Sequence, residues 1–373
     1  MKPLHTTRYA ALAIAIAGAA LAAQVTPAAA SGITFSTFVD SSDIAAAVGQ
    51  TNTIGFTYAG NKFVGSVYFG ANNLQLYSTD LSGGNVQAFG SPLPSGGGEV
   101  VLAGSLGLGG FSTGDIYASA ANNEIYRYAN SGGAPSLFST LPSTAGESRQ
   151  IFFDPGSSFG GDMLVTTTSG QIYRVNSAGA SSLLADIHAD TEGLDIASSA
   201  YGQYAGDLLV VSEGTGQIHA ITPLGAVSTL LDASHNPIFV PTGETLSVVP
   251  LDFGLSGNPL EGFYVANYPS DIQKAGDVSE FQPYLGHAIL TSEFGSNSTI
   301  WDLAYNGDGL NTFTLTSIGA LPLQSEDGIF VTAQRIVDTH GGGVPEPATW
   351  ALMLLGLGAL GSTLRRRKAA LAA

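Results

Sequence analysis

Gly161-Asp-Met-Leu-Val-Thr, followed by Gln171-Ile-Tyr-Arg-Val and then Ser181-Ser-Leu-Leu-Ala-Asp, is one copy of a pattern that the chain repeats. An earlier copy reads Gly114-Asp-Ile-Tyr-Ala-Ser, Glu124-Ile-Tyr-Arg-Tyr and Pro135-Ser-Leu-Phe-Ser-Thr-Leu. A later one reads Gly206-Asp-Leu-Leu-Val-Val, Gln217-Ile-His-Ala-Ile and Ala226-Val-Ser-Thr-Leu-Leu. Their Gly-Asp pairs stand 47 and 45 residues apart. Each run is short, rich in β-branched and aromatic residues, and bounded by Gly, Asn or Ser. That is the pattern of strands joined by tight turns.

Each copy is preceded by a further apolar run that opens on glutamate: Glu99-Val-Val-Leu-Ala, Glu147-Ser-Arg-Gln-Ile-Phe-Phe and Glu192-Gly-Leu-Asp-Ile-Ala, with Glu244-Thr-Leu-Ser-Val-Val continuing the series. From glutamate to the Asp of the next Gly-Asp is 16, 15 and 15 residues in the first three. Four strands in a unit of about 45 residues is the size of a propeller blade. Weaker copies run from Ile54 to Pro94, from Glu244 through Glu261-Gly-Phe-Tyr-Val-Ala, and from Thr299-Ile-Trp-Asp-Leu-Ala through Thr312 to Gly328-Ile-Phe-Val-Thr-Ala. The expectation is an all-β, six-bladed β-propeller over residues 31–340, its last two units drifting in length. Ile33-Thr-Phe-Ser-Thr-Phe-Val is placed to join the last blade and close the ring, which removes exposed edges.

The runs from Glu99 to Asp232 resemble blades of six-bladed propellers related to the NHL and SMP-30/gluconolactonase group. The resemblance implies that the first strand of each blade lines the central channel. Glu99, Glu147, Glu192 and Glu244 would then share one channel mouth. Carboxylates gathered there repel one another unless protons or a cation relieve them, and Ca²⁺ suits all-oxygen ligands. The bland alternative is that each glutamate caps a turn in its own blade. A metal-dependent hydrolase or lactonase in that funnel is the rival functional expectation. The Asn-Gly and Ser-Pro-Asp-Gly stretches characteristic of the group are absent from the later blades, so the leading expectation is a non-enzymatic binding protein without a catalytic residue set. Asp302, Asn306 and Asp308-Gly309 lack the spacing of a calcium loop and read as a hairpin turn. His188, between Asp186 and Asp190, reads as a loop residue, and His219 as a packing variant of the tyrosine in the other copies.

Composition narrows the partners. The 373 residues include no cysteine, so disulfides and thiol chemistry are excluded. Outside the two terminal segments the chain has 6 basic and 28 acidic residues, a formal −22. A body so acidic repels a phosphate backbone, which excludes nucleic acid as a partner.

The ends have their own logic. Residues 1–30 have a short basic start, a small-residue apolar run from Tyr9 to Ala23, and Ala28-Ala29-Ala30 before Ser31, the three parts of a signal peptide for signal peptidase. Residues 341–373 begin as a glycine linker and continue with Val344, Pro345, Glu346 and Pro347. An apolar stretch from Ala348 to Leu364 follows, then Arg365, Arg366, Arg367 and Lys368, which would hold a transmembrane segment's end in the cytoplasm. This tail resembles the PEP-CTERM sorting domain. The resemblance implies an exosortase partner, transit through the inner membrane, cleavage near Pro-Glu-Pro, and delivery to the surface or matrix of a cell that makes exopolysaccharide. A polysaccharide or other envelope component is the expected ligand.

Overall fold

The computed structural model describes residues 32–336 apart from 69–73, 97, 157, 294–297 and 334. The expected signal peptide and the sorting tail lie outside the described residues.

Six sheets stand around one channel, antiparallel except for a short outermost strand, Leu231–Asp232, that pairs in parallel with Thr312–Ala320. Blade 1 is Thr53–Tyr58, Phe63–Val67, Leu76–Thr79 and Gln87–Phe89, from the channel outward. Blade 2 is Leu102–Gly104, Ile116–Ala120, Glu124–Tyr128 and Ser136–Thr140. Blade 3 is Ser148–Phe153, Met163–Thr167, Gln171–Val175 and Ser181–Asp186. Blade 4 is Leu194–Ile196, Leu208–Val211, Ile218–Ile221 and Val227–Thr229. In these four the chain order is the strand order, as the repeats foretell. The recurrent Gly-Asp and Tyr-Arg pairs are structural: Arg127 pairs with Asp115 at 2.5 Å and Arg174 with Asp162 at 2.6 Å, each tying a third strand to the start of the second.

Blades 5 and 6 depart from the unit order expected above. After Gly243–Val248, the inner strand of blade 5, the chain crosses to blade 6 to form Gly262–Tyr268 and Ile272–Ala275. It then returns to build the rest of blade 5 with Ala288–Ser292, Thr299–Tyr305 and Thr312–Ala320, and only afterwards lays down Gln324–Val331 as the inner strand of blade 6. The run after Glu261 therefore pairs with Gln324–Val331, not with the strand after Glu244. An aromatic cluster fixes the crossing: Phe330 lies 4.5 Å from Phe263, 5.1 Å from Phe253 and 5.2 Å from Phe281 between ring centroids. Phe263 and Phe330 belong to blade 6, and Phe253 and Phe281 to the two connections that cross between the blades, so burying them together favours the exchange.

The ring closes with the N-terminal strand. Phe35–Val39 pairs with Ile272–Ala275 as the outermost strand of blade 6. A capped helix, Ser41–Val48, then buries Ile44 and Val48 with blade 1. Asp40 accepts the Ser42 N–H at its start, and Gly49 ends it in the left-handed region.

Apolar clusters fill the spaces between neighbouring blades, with Val165, Tyr117 and Phe153 between blades 2 and 3 and Leu209, Val248 and Leu290 between blades 4 and 5. Polar side chains stitch the inner strands across the same gaps. Asp327 accepts the Phe56 N–H at 2.8 Å, Asp195 accepts the Val248 N–H at 2.7 Å, and Thr57 Oγ1 accepts the Gly104 N–H at 2.9 Å.

The outer turns also repeat. Gly179 sits at φ 80°, where a Cβ would lie 2.1 Å from the Phe138 carbonyl of the preceding blade. Gly83 stands in the same relation to Phe38 of the closing strand, again with 2.1 Å to a carbonyl oxygen. Phe35–Val39 thus occupies the place of an ordinary outer strand. Gly179→Ala is expected to destabilise by about 1–3 kcal/mol, since alanine at positive φ is strained and its methyl meets backbone. Urea unfolding checks this; a loss below a few tenths would show that the turn shifts freely.

Candidate functional site

The start of each inner strand and the end of each second strand face the same channel mouth, because the two are antiparallel. That mouth is acidic. Glu99 and Glu192 stand just before the inner strands of blades 2 and 4, while Glu244 and Glu326 lie within those of blades 5 and 6. Glu213 and Glu293 follow the second strands of blades 4 and 5, and Asp190 comes from the loop leading to Glu192.

Arg149 sits among them. A register shift between Ser148 and Gln150 marks a bulge at Arg149 in the inner strand of blade 3, a device that re-aims a side chain. Its guanidinium lies 2.8 Å from Glu99, 2.7 Å from Asp190, 2.8 Å from Glu192 and 3.4 Å from Glu213. The Nε hydrogen is directed to Asp190, at 3.2 Å. Glu192 Oε1 therefore receives charge attraction from Nε but no aligned hydrogen bond. Across the mouth, the Gln324 amide donates to Glu293 at 2.7 Å and Glu326 at 2.6 Å. Glu244 is 9% exposed, and its carboxylate accepts no hydrogen bond from any described residue.

Seven carboxyl groups thus face one arginine, and burial and mutual repulsion raise the proton affinity of Glu192, Glu244, Glu293 and Glu326. Burial pushes Glu192 well above the usual carboxylate range, with Arg149 opposing and Asp190 and Glu213 adding to the rise. Burial also raises Glu244, reinforced by Glu192, Glu326 and Glu293. Glu293 is pushed up to about 8 by burial and then by Glu326 and Glu213. Glu326 rises to about 8 through burial and Glu99. Burial alone would discourage charge on Arg149, but its hydrogen bond to Asp190 and the surrounding carboxylates keep it firmly protonated.

Further along the inner strands the channel widens into a cavity of ≈ 300 Å³. Its walls are largely apolar, including Leu102, Ile151 and Leu246, and its polar groups include Asp195, Asp327, Gln150 and Arg335. Asp327 also accepts the Gln150 amide at 2.8 Å. Burial raises Asp195 to about 7 and Asp327 to about 6, each partly offset by the backbone N–H groups it accepts and by Arg335. Beyond Gln324–Val331 the chain turns across this second mouth with Thr332 and Arg335 lining the cavity.

Of the four glutamates singled out from the sequence, Glu99, Glu192 and Glu244 come together at the acidic mouth. Glu147 is exposed, and its place near the channel is taken by Arg149, two residues on. Sequence reading missed Asp190, Glu213, Glu293, Glu326 and the role of Arg149. One signal was available: Gly286-His-Ala-Ile-Leu-Thr-Ser-Glu293 parallels Gly206-Asp-Leu-Leu-Val-Val-Ser-Glu213, a fourth Gly-Asp unit with His287 in place of Asp. His287 contacts Asp302 at 2.8 Å, while Asp308 accepts the Leu310 N–H within its own turn, so the 302–309 segment is a hairpin. His188 is an exposed neighbour of Asp186, at 3.0 Å, and His219 is buried beside Thr229, at 3.2 Å. Val344, Pro345, Glu346, Pro347 and Arg365 to Lys368 lie outside the described residues.

The fold and its channel make this protein a six-bladed β-propeller. Residues 343–368 match the PEP-CTERM protein-sorting motif, which marks it as an exported, surface-sorted protein with a propeller body. The exosortase that recognises such motifs in the membrane is the partner consistent with that match. No helix among the described residues is long and apolar enough to cross a membrane. No curated protein matches the chain. Among solved structures it is similar to virginiamycin B lyase from Staphylococcus aureus, at 14% identity over 76% of this chain and 87% of that one, with a TM-score of 0.42. It is also similar to the Dos1 propeller, at 11% identity over 81% of this chain and 65% of that one, with a TM-score of 0.44. Saccharomyces cerevisiae Sqt1 matches at 12% identity over 73% of this chain and 63% of that one, with a TM-score of 0.43. None of these likenesses supports the NHL and SMP-30 subgroup in particular.

Proposed function

We propose that this protein is a non-enzymatic binding module of the cell surface, engaging an extracellular matrix or envelope component through the acidic mouth of its channel. The observation that carries the reading is the direction of the chain. The last described residues follow the inner strand of blade 6, with Thr332 and Arg335 lining the cavity, so the described chain ends at the other end of the channel from the acidic mouth. A concentration of carboxylates there favours a neutral or amino-bearing polysaccharide over an anionic polymer. The test is binding of the purified full-length protein to immobilised exopolysaccharide from the same cells. Paired changes Glu293→Gln and Glu326→Gln are expected to weaken binding about tenfold, the effect of losing roughly 1.4 kcal/mol. Binding that both changes leave untouched would move the contact face elsewhere.

A second reading, a metal-dependent hydrolase or lactonase, is favoured by one feature: burial and neighbouring carboxylates push Glu293 and Glu326 up to about 8, close to neutral pH, where a general acid or base works best. Reproducible turnover of lactones or esters, abolished by a chelator, would replace the binding-only reading.

A further inference from the structure

We infer that the acidic mouth is a divalent-cation site, with Glu244, Glu293 and Glu326 as its ligands and Glu192 and Glu213 shared between the cation and Arg149. The ligand set differs from the four glutamates that the repeats pick out: Glu147 stands outside it, and Glu293 and Glu326 enter.

Two independent features carry it. One is charge. Arg149 pairs with Glu99, Asp190, Glu192 and Glu213, whereas no ion pair involves Glu244, Glu293 or Glu326 among the described residues. The single arginine therefore neutralises one side of the mouth only. The other is the state of two buried carboxylates. Glu244 is nine-tenths buried and accepts no hydrogen bond from any described residue, and Glu192 Oε1, in a residue 4% exposed, has the Arg149 Nε 2.8 Å away without an aligned hydrogen bond. Buried anions without donors are costly, and native structures rarely retain them without a compensating ligand. Carboxylate oxygens of Asp190, Glu192 and Glu213 lie within 4.8 Å of one another on the Arg149 side of the mouth, and the charge of Glu192 is felt at the unpaired Glu244 beside it.

The chemistry of the donors selects the ion. All are hard carboxylate oxygens, with neither sulfur nor imidazole, which suits Ca²⁺ in preference to Zn²⁺ or Cu²⁺. Ca²⁺ takes six to eight oxygens in flexible geometry. Five carboxylates from three blades offer enough of them, with water completing the shell, and each ligand is anchored at the end of a rigid strand.

The inference does not depend on the polysaccharide reading, because it is measured on the protein alone. The probes are Ca²⁺ in thermal unfolding and Tb³⁺ luminescence, using purified full-length protein first stripped with a chelator. An ion that binds only the folded state raises its stability with the logarithm of free ion concentration. Ca²⁺ is therefore expected to raise Tm progressively, and Tb³⁺ is expected to bind with sensitised emission that Ca²⁺ displaces. In Glu244→Gln, which keeps the shape and removes the charge, apparent Ca²⁺ affinity should fall at least tenfold. In Glu147→Gln, whose side chain is exposed and outside the mouth, it should stay unchanged. Should Glu244→Gln fold poorly, Glu326→Gln provides the same readout from blade 6. A Tm indifferent to Ca²⁺ together with no displaceable Tb³⁺ would overturn the site, and so would equal Ca²⁺ affinity in the mouth variants and Glu147→Gln.

Discussion

Arg149→Met is expected to be among the most damaging single substitutions in the propeller, costing about 3–5 kcal/mol, the range found when one partner of a buried ion pair is removed. The guanidinium is largely enclosed, with 22% of its side-chain surface exposed, and it pairs with four carboxylates at once. Methionine fills similar space, so the loss reads out charge more than packing. The effect should depend on pH in a defined direction. Glu293 and Glu326 hold protons up to about 8 in the folded protein. Unfolded glutamate titrates near about 4.3. Below that value both states are protonated and the mouth carries little penalty. As pH rises toward 8 the unfolded chain gives up its protons first, and the folded state becomes progressively less favourable. Arg149 holds down the proton affinity of Glu192 and Glu326, so without it this loss is steeper, and the variant should lie closest to wild type near pH 4 and fall furthest behind it near pH 8. Chemical unfolding at both values checks this; a loss independent of pH would mean that Arg149 acts through packing.

Asp327→Ala should cost about 2–4 kcal/mol, because it strands several groups at once inside the channel. Its carboxylate accepts the Phe56 N–H and the Gln150 amide, each at 2.8 Å, and faces the charge of Arg335. The Phe56 bond joins the inner strand of blade 6 to that of blade 1, across the seam where the two ends of the propeller meet. Asp327→Asn retains an acceptor and should lose roughly half as much. Hydrogen exchange at the Phe56 amide distinguishes the two: it should accelerate strongly in the alanine variant and weakly in the asparagine one. Equal stability of both variants and wild type would show that the seam is held by apolar packing alone.

How much of this could be read from the residues depends on the blade. Blades 2, 3 and 4 were legible because Gly-Asp, the Ile-Tyr-Arg type of run and the opening glutamate recur in register. The closing strand was legible from Ile33 to Val39 because an apolar run stood outside every unit. The exchange between blades 5 and 6 was not. Strand identity in sequence is local, whereas partner choice there depends on Phe253, Phe263, Phe281 and Phe330 meeting from distant points in the chain. The mouth was half legible for a similar reason. Glu99, Glu192 and Glu244 hold equivalent places before or within inner strands, but Arg149 reaches the channel only through a bulge, which shifts side-chain direction without changing the pattern of residue types. Glu326 was hidden by the same exchange that moved its strand to the end of the chain.

The last strand before the sorting tail in the chain, Gln324–Val331, is an innermost one, and that arrangement has a mechanical consequence. This strand is paired residue by residue with Gly262–Tyr268 over seven positions, and it lies between the inner strands of blades 1 and 5. If a ligand grips the opposite face while the tail holds the cell, tension runs along the channel axis, parallel to that strand. Its backbone hydrogen bonds are then loaded together in shear and cannot be peeled one at a time from an outer edge. Because the strand comes from the centre of the ring, pulling it free would also require parting its neighbours on both sides. Drag from flowing liquid would thus be borne by the most deeply enclosed strand, and survival under load would depend on the rate of forced unfolding rather than on equilibrium stability.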